Sequence, residues 1–286
     1  MATQDDTLPL LEGPDRVHYA TGVMLGAEDF QAEQDYHRGR LARALAYALG
    51  YGTLAGLRVE HQPARPEDAA GPAHAERLVV APGLAIDRLG RLMELDRPWC
   101  LALEDWYAAQ PAAALGAAWH PADALWAGAP AGVAADLFAR FVVCPRGRTP
   151  AFASDAFDSF DSVTAARLRD GMALSLVLRP EASPPLPQPQ WPDFGGDPAA
   201  LREAVLDAWR EPAAHPGGAL PPLPEQLPGQ DPAALFLARL LLPADPPAGG
   251  QAPARRAGEP VAVRNDLRPF VIPLGALVRW MGIGAT

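Results

Sequence analysis

Met24 to Glu60, MLGAEDFQAEQDYHRGRLARALAYALGYGTLAGLRVE, and then, after a polar gap, Glu76 to Leu95, ERLVVAPGLAIDRLGRLMEL, decide how this chain is read. The first stretch predicts a long helix. Glu28 and Asp29 stand in its first turn, and Arg38, Arg40 and Arg43 follow toward its other end, so charge order and dipole direction agree. Phe30, Gln34, His37, Leu41, Leu45 and Ala48 recur at three- and four-residue spacing as a semi-apolar stripe, with Glu33, Tyr36, Arg40 and Tyr47 on a neighbouring face. Gly50 and Gly52 end the helix, because glycine takes the left-handed conformation a helix terminus often needs. Leu54, Leu57 and Val59 then read as one short strand.

The second stretch predicts a hairpin. Leu78 to Val80 form an apolar run that Pro82 and Gly83 interrupt. Leu84 and Ile86 resume the alternation, and Asp87 to Gly90 form a tight turn that sends Arg91 to Leu95 back antiparallel. An aspartate at the first turn position bonds backbone two residues on, and a glycine at the fourth tolerates positive φ. Asp87 and Arg91 have two readings, a functional pair or a turn residue with a solvated neighbour, and the turn chemistry favours the second.

The order of motifs in these stretches resembles an uncharacterised protein family associated with contractile injection systems and phage-tail-like particles. The residues that carry the resemblance are Leu25, Glu28, Asp29, Phe30, Glu33, Gln34, Tyr36, His37, Arg38, Arg40, Gly50, Gly52, Gly56, Leu57 and Val59. A second set is Val80, Pro82, Gly83, Ala85, Asp87, Gly90 and Arg91. Weaker echoes are Arg167 to Gly171 before ALSLVLRP, and LFLARLLLP leading to VAVRNDLRPFVIP. The chain departs from the pattern in having Leu41 to Leu45 where an HN pair follows the arginines, and Asp170 where glutamate is usual. The resemblance implies a baseplate-associated or accessory structural protein.

Composition narrows the classes. The chain has 286 residues, 49% of them hydrophobic, enough for a sizeable core. The segments expected are a module at 1–103, helix plus β-hairpin, and a β-rich part at 104–286 with Pro/Ala-rich insertions at 104–137 and 180–230; one continuous domain is the alternative. No run approaches the ~20 apolar residues of a membrane helix, and the start MATQDDTLPL lacks a basic, then apolar, leader. The expectation is therefore a cytoplasmic protein without membrane insertion, leaving the cell only as part of an assembled particle. Cys100 and Cys144 each end an apolar run and are expected to be buried thiols.

The formal net charge is −10 and all 24 basic residues are arginine, which disfavours nucleic acid as a partner. The helix cluster Arg38, Arg40 and Arg43 and the loop pair Arg255 and Arg256 lack interleaved aromatic platforms. Arginine on the helix suits a protein interface, since its planar fork pairs with carboxylates.

Beyond residue 103, Pro111, Pro121 and Pro130 break helical patches, and LFARFVVCP reads as a strand. The stretch 146–163 reads as a loop whose Phe152, Phe157 and Phe160 tuck onto the core and whose Asp155, Asp158 and Asp161 cap turns. The proline-rich region 180–230 reads as the least globular part. It flanks a helix capped by Asp197 and begun by Pro198, whose face of Leu201, Val205, Leu206 and Trp209 is expected to dock. Leu235 to Leu242 reads as a strand, and the last segment as a strand and a short helix.

Catalytic signatures are weak. The six histidines form no H-x-x-x-H pair, and no C-x-x-C, P-loop or G-x-S-x-G is present, so no catalytic residue, cofactor or metal is expected. Glu33 and His37 at helical spacing suit an ordinary interface pair. The fold expected is α+β, an N-terminal long helix followed by a predominantly antiparallel β core with a proline-flanked helical insertion. The function expected is a non-enzymatic structural or accessory subunit binding other particle proteins of baseplate, tube or sheath type. Its candidate interface is Glu33, Tyr36, His37, Arg40, Arg43 and Tyr47, a face that also suits a homo-oligomer. The alternative is a carbohydrate-binding or adhesin module using Trp99, Trp106, Trp119, Trp126 and Trp191 as stacking platforms; an enzyme comes third.

Overall fold

A computed structural model of the chain describes residues 15–67, 72–150, 163–208 and 220–282. The elements in order are α1 (Ala27–Ala48), β1 (Gly52–Gly56), β2 (Val59–Gln62), β3 (Arg77–Val80), β4 (Gly83–Ile86), β5 (Leu92–Leu95) and β6 (Trp99–Ala102). Then come α2 (Leu103–Ala108), α3 (Ala112–Ala117), β7 (Trp119–His120), β8 (Gly132–Pro150), β9 (Val163–Leu178), α4 (Pro198–Asp207), β10 (Leu235–Pro243), β11 (Ala262–Arg264) and α5 (Leu274–Trp280). The class is mixed α+β, with three antiparallel sheets: β1-β4-β5, β2-β3-β6, and β11-β10-β8-β7 with β9 paired to β8.

One apolar cluster joins the sheets. Leu57, Val59, Leu78, Val80, Ala85 and Met93 from the first half pack with Leu103 and Leu115 of α2 and α3, and with the β8 and β10 side chains. The odd positions of β8 from Val133 to Val143 enter this cluster, while Phe138 turns to the other side against Phe236. A strand covered on both faces needs no alternation, which is why β8 reads as a continuous apolar run.

The helix at 27–48 begins where Asp29 accepts from the Gly26 backbone N–H at 2.8 Å and ends before Gly50, at φ +75°. The predicted turn between β4 and β5 is also present. Gly90 N–H donates to Asp87 O at 2.9 Å, Leu89 N–H donates to Asp87 Oδ1 at 2.9 Å, and Gly90 has φ +82°. Arg91 differs from the expected solvated neighbour, being buried with its Nε donating to Asp87 Oδ2 at 2.7 Å and its guanidinium over the Phe141 ring.

Several expectations are corrected. Leu54, Leu57 and Val59 do not share a strand: β1 and β2 lie in different sheets, and the chain crosses between them at Gly56 and Leu57, φ +65° and +54°. The strand expected at LFARFVVCP begins earlier, at Gly132, and runs to Pro150, so the part of 146–163 expected as a loop is partly β8, and Arg167 to Asp170 are strand residues of β9. The expected positions of Phe152, Phe157, Phe160, Asp155, Asp158 and Asp161 lie outside the described residues. Cys100 is exposed and Cys144 half-buried, both free thiols, because Cys100 falls on the open face of β6 and Cys144 where β8 leaves the core. The proline-rich region is pinned to the body: Arg239 donates to Pro184 O and Pro185 O at 2.8 Å each. Helix α4 carries its Asp197 cap, which accepts from Ala199 N–H at 2.8 Å, but Leu201, Val205 and Leu206 are exposed and do not dock; Trp209 lies outside the described residues.

Candidate protein–protein interface

Of the residues behind the family resemblance, Gly56, Leu57, Val59, Pro82 and Gly83 meet at the crossing from β1 to β2, while those from Glu28 to Arg40 lie along α1. A Cβ on Gly56 would sit 2.1 Å from Pro82 O, and one on Gly83 would sit 2.3 Å from Ala55 O, so both glycines are required by close backbone approach. Leu57 N–H donates to Pro82 O at 3.2 Å. The C-terminal run wraps the same crossing: Arg268 Nη1 donates to Leu57 O at 2.7 Å, and the Asn265 side chain bonds both backbone groups of Val59. Pro269 O accepts from Thr53 N–H at 2.9 Å, and Val271 N–H donates to Thr53 O at 3.0 Å. Burial pulls the Arg268 guanidinium down to about 10, with the Arg58 charge adding to the effect. These motif residues are architecture. What they hold in place is the exit of α1.

One remote segment meets that helix and two more hold the residues that follow it. Ala42 packs where a Cβ on Gly90 would meet its carbonyl oxygen at 1.8 Å. Gln190 bonds both backbone groups of Tyr51, accepting from its N–H at 3.0 Å and donating to its carbonyl. The strand-like 269–271 then crosses at Thr53.

Ala42 is the one buried residue of α1, with Asp35, Arg38, Gly39, Leu45 and Ala46 half-buried around it. At 3.6 residues per turn, Glu33, Tyr36, His37, Arg40 and Tyr47 of the candidate face lie across the helix from Ala42 and Arg43 lies to its side; His37, Arg40 and Tyr47 are exposed, and Glu33, Tyr36 and Arg43 are half-buried. Its members are pre-ordered among themselves. His37 Nε2 and Glu33 Oε1 are 2.9 Å apart, the Tyr36 and His37 rings meet edge to face at 5.3 Å, and Arg40 lies 5.6 Å over the Tyr36 ring. Beside this face, the expected semi-apolar stripe leaves Phe30 at 53% and Leu41 at 60% exposed, where a docked helix would bury them.

Apolar side chains also stand open on other segments. Val23, Met24 and Leu25 precede α1; Leu49 leaves it; Phe270, Ile272, Leu274, Trp280 and Met281 form the C-terminal strap and α5. Neither α4 nor α5 buries any residue. Because 269–271 bonds to Thr53 of β1, the backbone of the C-terminal strap lies beside the strand that follows α1.

The buried polar groups do different work. Asp136 is clamped by Arg239, Nε to Oδ1 and Nη2 to Oδ2 at 2.8 Å each, with Arg179 at 3.4 Å. Burial pushes its carboxyl above the usual range against the pull of both arginines. Glu76 accepts two bonds from Arg255 and lies 2.7 Å from His61 Nε2. His61 Nδ1 accepts from Val261 N–H, so Nε2 carries the proton given to Glu76. The trio fastens the 254–256 loop, and with it Arg255 of the loop pair, to the β2–β3 hairpin. Among the described residues, no group of three or more His, Cys, Asp or Glu side chains is placed to hold a metal ion.

Of the five tryptophans expected as platforms, four are half-buried and one is exposed. Trp99, Trp106 and Trp119 pack against the core, the last donating from Nε1 to Ala244 O at 3.1 Å, and Trp126 is covered by Arg264 at 5.5 Å. Trp191 is open, next to Phe194. Among the described residues, no helix is long and apolar enough to cross a membrane.

No protein-family model matches the chain, and no curated protein matches it in sequence.

Sequence reasoning missed one feature of the surface, a set of arginines on the β8–β9 hairpin. Its signal was present in the period-two spacing of Arg146 with Arg148 and of Arg167 with Arg169, but only the strand register brings the two pairs together.

Proposed function

We propose that this chain is a non-enzymatic structural or accessory subunit of a contractile injection or phage-tail-like particle, binding other particle proteins of baseplate, tube or sheath type through α1 and the apolar surface around its exit. The observation that carries the reading is the exposed His37, Arg40 and Tyr47 of α1 together with the open apolar side chains of Phe30 and Leu41 on the helix, Leu49 at its exit, and Phe270 and Ile272 on the C-terminal strap. Large apolar side chains gathered on neighbouring segments mark sites that a partner covers. The resemblance of the motif residues supplies the class of partner, and part of the motif, Gly56, Leu57, Val59, Pro82 and Gly83, builds the crossing that follows the α1 exit. The particle would carry the chain out of the cytoplasm if it is released.

The test is site-specific cross-linking in the native cell. Lysine-directed reagents have no side-chain target here, because every basic residue is arginine. A photo-reactive benzophenone side chain placed at Phe30 or Tyr47 should instead capture a tube, sheath or baseplate protein, identified by mass spectrometry. Capture from both sites of nothing but this chain's monomer contradicts the proposal.

A further inference from the structure

The β8–β9 hairpin outlasts the sheet that supports it. Strand β10 pairs with β8 only as far as Ala139, whereas β9 follows β8 to its end at Pro150. From Cys144 outward the side chains leave the core, and those of 146–148 and 165–170 are exposed. At about 3.3 Å per residue, a two-stranded arm of about 20 Å extends beyond the body.

Directly opposed residues on paired strands share a face. The register sets Arg146 opposite Arg167, Cys144 opposite Arg169, and Arg148 opposite Ala165, so Arg146, Arg148, Arg167 and Arg169 all lie on one face of the arm. Successive arginines on each strand are about 7 Å apart. None of the four pairs with a carboxylate among the described residues. Asp170 stands opposite Val143 and therefore on the other face. Four like charges gathered on one side of an arm, in a chain of net charge −10, are costly without an anionic partner.

The arm offers a second kind of recognition. Beyond Ala139 the outer edge of β8 has no strand partner among the described residues, and neither has the outer edge of β9. An open edge is read by another extended backbone, which a phosphodiester or lipid surface cannot supply. We infer that the arm docks an extended acidic segment of a partner protein, added as a strand along its edge with Asp or Glu at alternate positions against the four arginines. Alternation matches because side chains of the added strand project to one face at every second residue. A second copy in β9-to-β9 pairing suits the arm less, because a two-fold axis through the edge would bring Arg167 and Arg169 near their own counterparts.

The test uses the full chain and a labelled peptide of about ten residues alternating Glu with Thr, followed by fluorescence anisotropy at low salt. The peptide should bind, weaken as salt is raised, and weaken at least about tenfold toward the R146E/R167E double variant, whose thermal unfolding should match wild type because both side chains are exposed. The same peptide with one central proline should bind at least about fivefold more weakly, since proline cannot donate to the ladder. Equal binding of the proline peptide overturns strand addition. Tighter binding of a 20-base-pair DNA duplex or of phosphatidylserine vesicles than of the acidic peptide overturns the choice of partner.

Discussion

Asn265 serves as a strand partner for Val59: its Oδ1 accepts from Val59 N–H and its Nδ2 donates to Val59 O, each at 2.9 Å. Val59 is buried, and it is where β2 begins after the crossing. Asn265→Ala leaves one donor and one acceptor without a partner inside the protein, at about 1–3 kcal/mol for each. Denaturant unfolding should show a loss of about 2–4 kcal/mol. A loss below about 0.5 kcal/mol would mean the C-terminal run does not hold the crossing.

The docking of α1 depends on a glycine. At Gly90 a Cβ would be forced against Ala42 O, and φ there is +82°. Gly90→Ala should cost about 1–3 kcal/mol from backbone strain alone and lift α1 off the hairpin. Hydrogen exchange is the direct reading: amides of 38–48 should lose protection in the variant while those of β8 and β10 keep theirs. Unchanged protection in α1 contradicts the docking.

The clamp between Asp136 and Arg239 joins β8 to β10 and to the proline-rich segment. Asp136→Leu strands two buried guanidiniums, at about 3–5 kcal/mol. Arg239→Met leaves the carboxylate with Arg179 and frees the Pro184 and Pro185 carbonyls. Because the two residues share one interaction, the double variant should cost less than the sum of the singles, by about 0.5–3 kcal/mol. Additive losses would show that the pair is not coupled.

Glu225 gives a pH dependence with a defined sign. It is buried, one carboxylate oxygen has no hydrogen-bond partner among the described residues, and burial raises its pKa from 4.5 despite the nearby Arg88 and Arg179. A raised pKa favours the protonated form in the folded state. Its stabilisation is complete below the unfolded value and is lost as pH rises through the folded one. Glu225→Gln removes the titration, so the variant should gain on wild type as pH rises above about 4.5. Unfolding free energies at several pH values test this, and a constant difference contradicts it.

Much of the architecture was legible because it is local. Glu28, Asp29 and Gly50 mark the ends of α1, and Asp87 to Gly90 specify their turn through one aspartate side chain and one positive φ. Asp197 with Pro198 starts α4. The crossing at Leu57 was not legible, because a leucine at positive φ is uncommon and only the C-terminal run, far along the chain, holds it there. The start of β8 was hidden in alanines that favour helix until β10 covers them. The outer end of β8 looked like loop because an arm without a core needs no apolar alternation. The proline-rich stretch looked loose because the arginine that pins it sits on β10. For the candidate interface, spacing alone grouped Tyr36, Arg40 and Tyr47; that this group lies across the helix from the buried side needed the position of Ala42.

The central claim is that the outward side of α1 and the apolar surface at its exit bind particle proteins. It is tested most directly by pulling down the tagged chain from its native cells, in wild-type form and as R40E/R43E, with mass spectrometry of the eluate and negative-stain imaging. The account predicts tube, sheath or baseplate proteins and rod-shaped particles with the wild type, and their loss from a variant that still folds. Recovery of the wild-type chain alone, or identical particle recovery with the variant, would contradict it.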